Sequence, residues 1–320
     1  MNPTAAFSRY PLGLFPTPLH RLHRLEQALG GGHVLVKRDD LAGFALAGNK
    51  TRPLEFLIGD ALGCESEVVV SGGASKSNFT AALAAAARSA GLECELMLPG
   101  GGLADPPVPV RMAVASGATL RFTGGDREDL DEAIEERVRE LAATSRRAYA
   151  VPRGGACAIG ALGFANAACE LAEQGVADDA TIVLPVGSGA SVAGLIAGRA
   201  AVGSQWTVVG VSVSRPMDEM RAHSSSIAAA CSRMMLTAEP LEAMLVDATA
   251  PGMSAVTEDE RSGAVLAYET EGLLFDPFYG VKALHEALEM IRRGSSGPIV
   301  LWHTGGLTSA VPLIAGAGAS

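Results

Sequence analysis

An α/β protein with mostly parallel sheet is predicted by three features of this sequence. Short runs rich in β-branched residues alternate along the chain with segments of helical composition, the pattern of repeated strand–helix units. Thirty-eight glycines, among many alanines, suit close packing of helices on a sheet. Hydrophobic residues make up 48% of the 320 and charged residues 19%, ample for a large core in one or two domains.

Taken in order, Val34-Leu35-Val36 is the first expected strand, and the apolar spacing that follows Gly48-Asn49 predicts a helix over 50–63. Val68-Val69-Val70 predicts the next strand. It runs into a hydroxyl-rich loop, Ser71 to Asn78, and an alanine-rich helix over 77–90. A strand follows at Cys94 to Leu98, then a loop from Gly100 to Pro109 and a helix over 126–147. Pro152-Arg153-Gly154-Gly155 reads as a loop where the chain leaves one domain for another, ahead of a helix over 158–174. Strands at Thr181 to Leu184 and Val208 to Val211 flank a glycine-rich turn and a helix over 191–202. Helices over 257–271 and 280–293 precede the last strand, Ile299 to Trp302, and residues 315–320 are small and polar enough to fray.

Charge and cysteine content exclude several classes. With 25 basic and 35 acidic residues the net charge is -10, which opposes non-specific binding to nucleic acid or anionic membrane. Five cysteines without C-x-x-C or zinc spacing give no disulfide framework and no metal site; Cys64, Cys94 and Cys169 are expected to be small buried residues. Residues 1–9 lack a basic stretch followed by an apolar run, and no window reaches the length of a membrane span, so a cytoplasmic protein is expected.

The candidate chemistry sits in the loops. Lys50 lies between a glycine turn and a helix start. Such a lysine is either a solvated first-turn residue or a desolvated amine that attacks an aldehyde and later carries a proton to or from a substrate carbon. Gly187-Ser188-Gly189-Ala190-Ser191 joins a strand to a helix and offers backbone N–H groups to a phosphate, although a tight turn needs the same glycines. Ser77 and Asn78 suit a helix N-cap, yet Ser75, Lys76, Ser77 and Asn78 together exceed what one cap needs and can surround a substrate carboxylate. Asn49 can bond a ring hydroxyl. Thr304, beside His303 at the end of the last strand, can face a pyridine nitrogen without forcing its protonation, which favours elimination over transamination. Tyr279, beside a turn, is an acid/base candidate, and His303 reads equally as a core histidine.

Lys37-Arg38-Asp39-Asp40, Gly48-Asn49-Lys50-Thr51-Arg52 with Leu54 to Leu57, Ser77-Asn78, Gly154-Gly155 with Gly160 to Gly163, Asp276-Pro277-Phe278-Tyr279 and His303-Thr304-Gly305-Gly306 occur in one order across almost the whole chain. In this the sequence resembles the 1-aminocyclopropane-1-carboxylate deaminase and D-cysteine desulfhydrase family. The resemblance implies pyridoxal 5'-phosphate as cofactor, a homodimer, and the fold type II architecture of tryptophan synthase β, with two open, mostly parallel sheet domains. It implies a lyase or deaminase that takes the α-proton from a small amino acid, expels a β-substituent and yields keto acid and ammonia. Lys50 matches the Schiff-base lysine, Asn49 the cofactor-hydroxyl partner, Gly187 to Ser191 the phosphate cradle, Thr304 the ring-nitrogen partner, Tyr279 an active-site tyrosine, and Ser77-Asn78 the substrate-carboxylate loop. We expect the larger domain to comprise 1–52 and 151–320, and a smaller α/β domain to be inserted over 53–150, with the cofactor in the cleft between them.

Three departures bear on substrate. Gly280 follows Tyr279 where the ring-opening deaminases carry glutamate, Met253 stands where a second tyrosine is usual, and Lys76 adds a cation that either meets an anionic substrate side chain or faces solvent. Gly280 favours the desulfhydrase branch, Met253 speaks against ring opening and against D-cysteine cleavage, and Lys76 suits a cysteate-type substrate. Capture of the intermediate by a second nucleophile (β-replacement), a non-catalytic cofactor-binding protein and a sugar-phosphate-binding protein are the alternative outcomes.

Overall fold

Two separate, mostly parallel sheets organise the chain. The computed structural model describes residues 2–249 and 255–315. The elements in order are β1 (Leu19–Arg21), α1 (His23–Leu29), β2 (Val34–Arg38), α2 (Thr51–Gly63), β3 (Val68–Gly72), α3 (Asn78–Ser89), β4 (Glu93–Leu98), α4 (Val108–Ala115), β5 (Thr119–Phe122), α5 (Leu130–Ala143) and β6 (Ala148–Ala150). There follow α6 (Ala158–Glu173), β7 (Thr181–Val186), α7 (Ala190–Val202), β8 (Thr207–Ser212), α8 (Met217–Met235), β9 (Met244–Asp247), α9 (Glu258–Glu271), α10 (Gly280–Arg292), β10 (Ile299–His303) and α11 (Leu307–Ala315).

The six-stranded sheet has the order β1-β2-β10-β7-β8-β9, parallel except for the edge strand β1. The four-stranded sheet, β5-β4-β3-β6, is parallel throughout and is built wholly from residues 68–150. Central strands such as β3, β7 and β10 are buried along nearly their whole length, as their unbroken apolar runs require when helices cover both faces. One face of the larger sheet packs on α6, α7 and α8 and the other on α1, α9 and α10. The smaller sheet lies between α2, α3 and α4 on one face and α5 on the other. Helices α6 and α7 touch backbone to backbone: a Cβ on Gly194 would stand 2.1 Å from Ala161 O, so only glycine permits the contact.

A buried ion network anchors the start of α2. Arg52, 2% exposed, donates to both Asp39 oxygens (2.7 Å each) and to Glu170 (2.8 Å), while Lys37 pairs with Glu170 and Trp302 Nε1 donates to Asp39 (2.8 Å). Strands β2 and β10 and helices α2 and α6 are thereby tied together two residues from Lys50.

Several expectations are corrected. The helix expected over 126–147 is shorter, because Asp126 to Asp129 form a turn closed by an Asp126 N–H donating to Asp129 Oδ2, and Ser145 has φ +61°. The loop expected to run to Pro109 yields to α4 at Val108, where Pro109 sits in the first turn and its missing N–H costs nothing. Cys64 is exposed at the C-cap of α2, whereas Cys94 and Cys169 are buried as expected; all five cysteines are free. Met253 and residues 316–320 lie outside the described residues. Among the described residues no helix is long and apolar enough to cross a membrane.

Candidate active site

The loops of interest leave the carboxyl ends of adjacent strands, β2, β10 and β7, the edge at which open parallel sheets bind ligands. From β2 the chain passes through Asp39 and Asp40 to a 3-10 turn, Gly48–Lys50, which opens α2. This turn docks on the loop after β10: Asn49 N–H donates to Thr304 O (3.0 Å), and a Cβ on Gly48 (φ +55°) would lie 2.1 Å from that same oxygen. Asn49 Nδ2 donates to Ser191 Oγ (3.3 Å), joining the turn to the first turn of α7.

Lys50 is only partly exposed, and no described residue hydrogen-bonds its Nζ. Burial brings its pKa down to about 8 against the opposing charge of Asp276. Near pH 7.5 roughly a quarter of such amines are neutral, against about one in a thousand for an ordinary lysine. The desolvated reading of Lys50 is therefore favoured over the solvated one.

Gly187, Ser188 and Gly189 turn the chain from β7 into α7, a helix of 13 residues whose N-cap, Gly189 (φ +93°), makes no side-chain cap. The helix-start N–H groups remain available to an anion. The Ser188 hydroxyl is turned toward Gly154 O (3.3 Å), so this serine offers its backbone rather than its side chain. Tyr279, the N-cap residue of α10, lays its ring over Gly187. Burial raises its phenol pKa, Asp276 raises it further, and Arg127 opposes. Thr304 is 9% exposed and no described residue hydrogen-bonds its hydroxyl.

The loop after β3 comes from the other sheet. Ser77 occupies the N-cap position of α3 but makes no side-chain cap, so capping does not account for its hydroxyl. Helix α3 packs against the Gly48–Lys50 turn, and Asn78 lines a small cavity with Ala47 and Thr308. Ser75 is partly exposed and Lys76 exposed, without a carboxylate partner among the described residues. His303 is 1% exposed and stacks on Phe275 (4.5 Å between centroids); its Nδ1 accepts from Gly305 N–H (3.3 Å), and its Nε2 has no hydrogen-bond partner among the described residues.

The sequence profile described as pyridoxal-phosphate dependent enzyme matches residues 10–305. The chain belongs to this pyridoxal-phosphate-dependent family. It is 33% identical over 313 residues to a putative 1-aminocyclopropane-1-carboxylate deaminase of Pyrococcus abyssi, covering 95% of this chain and 94% of the relative. A D-cysteine desulfhydrase of Klebsiella pneumoniae is 32% identical over 322 residues, 94% of each chain. A solved structure described as an ACC deaminase homologue superposes with TM-score 0.89 at 29% identity, over 98% of this chain and 97% of that one. Serine racemase from Dictyostelium discoideum, at 18% identity and TM-score 0.65 over 91% and 92%, shares the fold. The resemblance drawn from the sequence is borne out, as are the α/β fold of type II, the enzymatic nature of the chain and its cofactor.

The donor set suits pyridoxal phosphate. Its aldehyde needs an unprotonated amine, and Lys50 is a desolvated one. Its phosphate needs unpaired N–H donors, which the uncapped start of α7 offers beside Ser191. Asn49 brings an amide donor and Thr304 a neutral hydroxyl.

Two residues that bear on Tyr279 were given no role from the sequence. Asp276, 2% exposed, accepts from three backbone N–H groups at the start of α10; an Asp shortly before a helix is a capping signal that points to it. Arg127 lies in the run Asp126-Arg127-Glu128-Asp129, which reads as a solvated turn. Only the fold brings it toward Tyr279, through Arg153, whose guanidinium bonds Arg127 O (2.7 Å) and Asp131.

Proposed function

We propose that this enzyme removes the α-proton of a small amino acid and expels its β-substituent, giving keto acid and ammonia. The observation that carries the reading is Lys50, a desolvated amine with a large neutral fraction, set where the loops of three adjacent strands meet. Bound pyridoxal phosphate would hold the substrate's amino group and delocalise the negative charge that develops at Cα.

The chain's own residues supply the rest. Lys50 Nζ accepts the Cα proton and is ready to return it. Ser77 and Asn78, with Ser75 and the N–H groups of their loop, hold the substrate carboxylate. Tyr279 remains protonated at neutral pH, since burial and Asp276 both raise its pKa, and so can give its proton to the departing β-substituent as the Cβ bond breaks with its electron pair. The released enamine hydrolyses to keto acid and ammonia. Asn49, in the Gly48–Lys50 turn, and Thr304, in the loop after β10 on which that turn docks, would hold the ring, and the start of α7 would hold the phosphate. The activities for which the relatives are named, deamination and desulfhydration, suit such a substrate.

Segregation of the four-stranded sheet within 68–150 supports a domain inserted over 53–150 in a larger one formed by 1–52 and 151–320. A homodimer in the cytoplasm accompanies this reading.

The test is the visible spectrum of the purified protein titrated with D-cysteine, L-cysteine, L-cysteate, D-serine and 1-aminocyclopropane-1-carboxylate, with keto acid assayed alongside. A cofactor band that one amino acid shifts, with keto acid formed, supports elimination. Keto acid replaced by a thioether when a thiol is added indicates β-replacement. A band that no amino acid shifts sinks the catalytic assignment.

A further inference from the structure

Asp276 closes the connection between α9 and α10 and is 2% exposed. Its Oδ1 accepts from the N–H groups of Phe278 (3.0 Å) and Tyr279 (2.9 Å), and its Oδ2 from that of Gly280 (2.9 Å). The space around it is as restricted as its bonding. A Cβ on Gly306 would stand 2.7 Å from Asp276 Cβ, and one on Gly280 would stand 2.9 Å from Oδ2. The carboxylate is thus wedged between the backbone that carries Tyr279 and the loop that continues from Thr304. A helix cap alone does not need this burial: α9 is capped by the exposed Thr257.

Resting on the function proposed above, we propose that Asp276 is a positioning residue: one buried carboxylate that fixes Tyr279 over Gly187 through the start of α10 and acts on both candidate proton carriers, Tyr279 and Lys50. Asp276 is the charged group that acts on Lys50, where it favours the ammonium against burial. On Tyr279 it acts with burial to favour the neutral phenol, and Arg127 is the cation that opposes it. Burial raises the carboxyl's own pKa, and the three N–H donors act against that by favouring its ionised form. One negative charge therefore biases both candidate proton carriers toward their protonated forms, and its removal moves both the same way.

The experiment uses full-length protein stripped of cofactor, so that neither readout depends on turnover. Lys50 is titrated by competitive acylation with mass-spectrometric detection, and Tyr279 by ultraviolet difference spectra against Tyr279→Phe. In Asp276→Asn, and in Asp276→Ser, whose hydroxyl can still accept from the start of α10, both midpoints are expected to fall by about half a unit or more. Loss of thermal stability with both midpoints unmoved would make Asp276 a structural cap only, or a carboxyl already neutral, and either overturns the proposal. Failure of both variants to fold overturns it too, by making Asp276 a folding requirement. The functional reading fails separately, if wild-type protein forms no borohydride-trapped adduct between Lys50 and pyridoxal phosphate.

Discussion

The Tyr279 ring lies against Gly187 so closely that a Cβ on that glycine would stand 2.9 Å from Tyr279 Cε1. The N-cap residue of α10 and the turn after β7 thus share one van der Waals surface, and the position of the phenol depends on the absence of one methyl group. Gly187→Ala is therefore expected to displace the ring, lowering kcat about 10- to 100-fold for misplacement by about 1 Å. Cofactor absorption should persist. Steady-state kinetics decide the matter, and a kcat within twofold of wild type would show that the ring is not held there.

Lys50 links the site to stability. Its folded-state pKa of about 8 lies below the value of an unfolded chain, about 10.4. Between those values the unfolded chain binds the extra proton, so the penalty for protonating the buried amine is full below pH 8 and disappears as pH rises toward 10. Cofactor-stripped protein should gain stability over this window relative to Lys50→Met, whose curve lacks the rise. Urea midpoints from pH 7 to 10 measure it, and parallel curves would mean that the amine is not desolvated. In the holoenzyme, Lys50→Ala should lose about a thousandfold or more in turnover with the fold intact.

Arg127 lowers the phenol pKa of Tyr279, and no described carboxylate pairs with its guanidinium. Arg127→Gln should raise that pKa and so move the alkaline limb of kcat to higher pH. If the guanidinium also meets the substrate, KM for cysteate should rise about tenfold, as for the loss of one charge-assisted hydrogen bond, with KM for cysteine little changed. Unchanged kinetics with both substrates would place Arg127 outside the site's field.

Arg52 is expected to matter through what it leaves behind. Arg52→Met strands Asp39, which is fully buried, and removes half the compensation of Glu170. Breaking a buried network in this way costs about 3–5 kcal/mol. Chemical denaturation checks it; a loss below about 1 kcal/mol would show that Lys37 and Trp302 satisfy the acids unaided.

What the sequence made legible follows a physical division. Val68-Val69-Val70 and Ile299 to Trp302 were readable because strands buried on both faces must be continuously apolar, and α6 and α7 because their glycine and alanine content suits close packing. The 19-residue α8 was missed because His223 to Ser226 and its scattered charges blur the apolar stripe, and β5, β6 and β9 because three or four half-exposed residues carry no periodicity. Lys50, Asn49, Thr304 and Tyr279 were visible because their loops have distinctive composition. Asp276 was readable only as a cap for α10, since its burial against Gly306 is a long-range contact, and the approach of Arg127 toward Tyr279 depends on how the two sheets are placed.

Gly280 tests how far the departures from the ring-opening deaminases reach. It is the first residue of α10, buried, and a Cβ there would meet Asp276 Oδ2 at 2.9 Å and Phe275 Cδ1 at 3.2 Å. Three backbone donors hold that oxygen and its partner in place, so the carboxylate cannot swing aside cheaply. Gly280→Glu adds both a steric contact and a second negative charge beside a buried one. It should cost about 2–4 kcal/mol, the combined scale of overpacking and an uncompensated buried charge, without conferring cleavage of 1-aminocyclopropane-1-carboxylate. Since the two carboxylates are the source of the conflict, the double variant Gly280→Glu with Asp276→Asn should recover more stability than the single effects sum to, by about 1 kcal/mol or more in a double-mutant cycle. Melting curves of the four proteins supply the cycle. Additive losses would locate the conflict at Phe275 instead, and a stable Gly280→Glu protein that opens the cyclopropane ring would show that the start of α10 can yield.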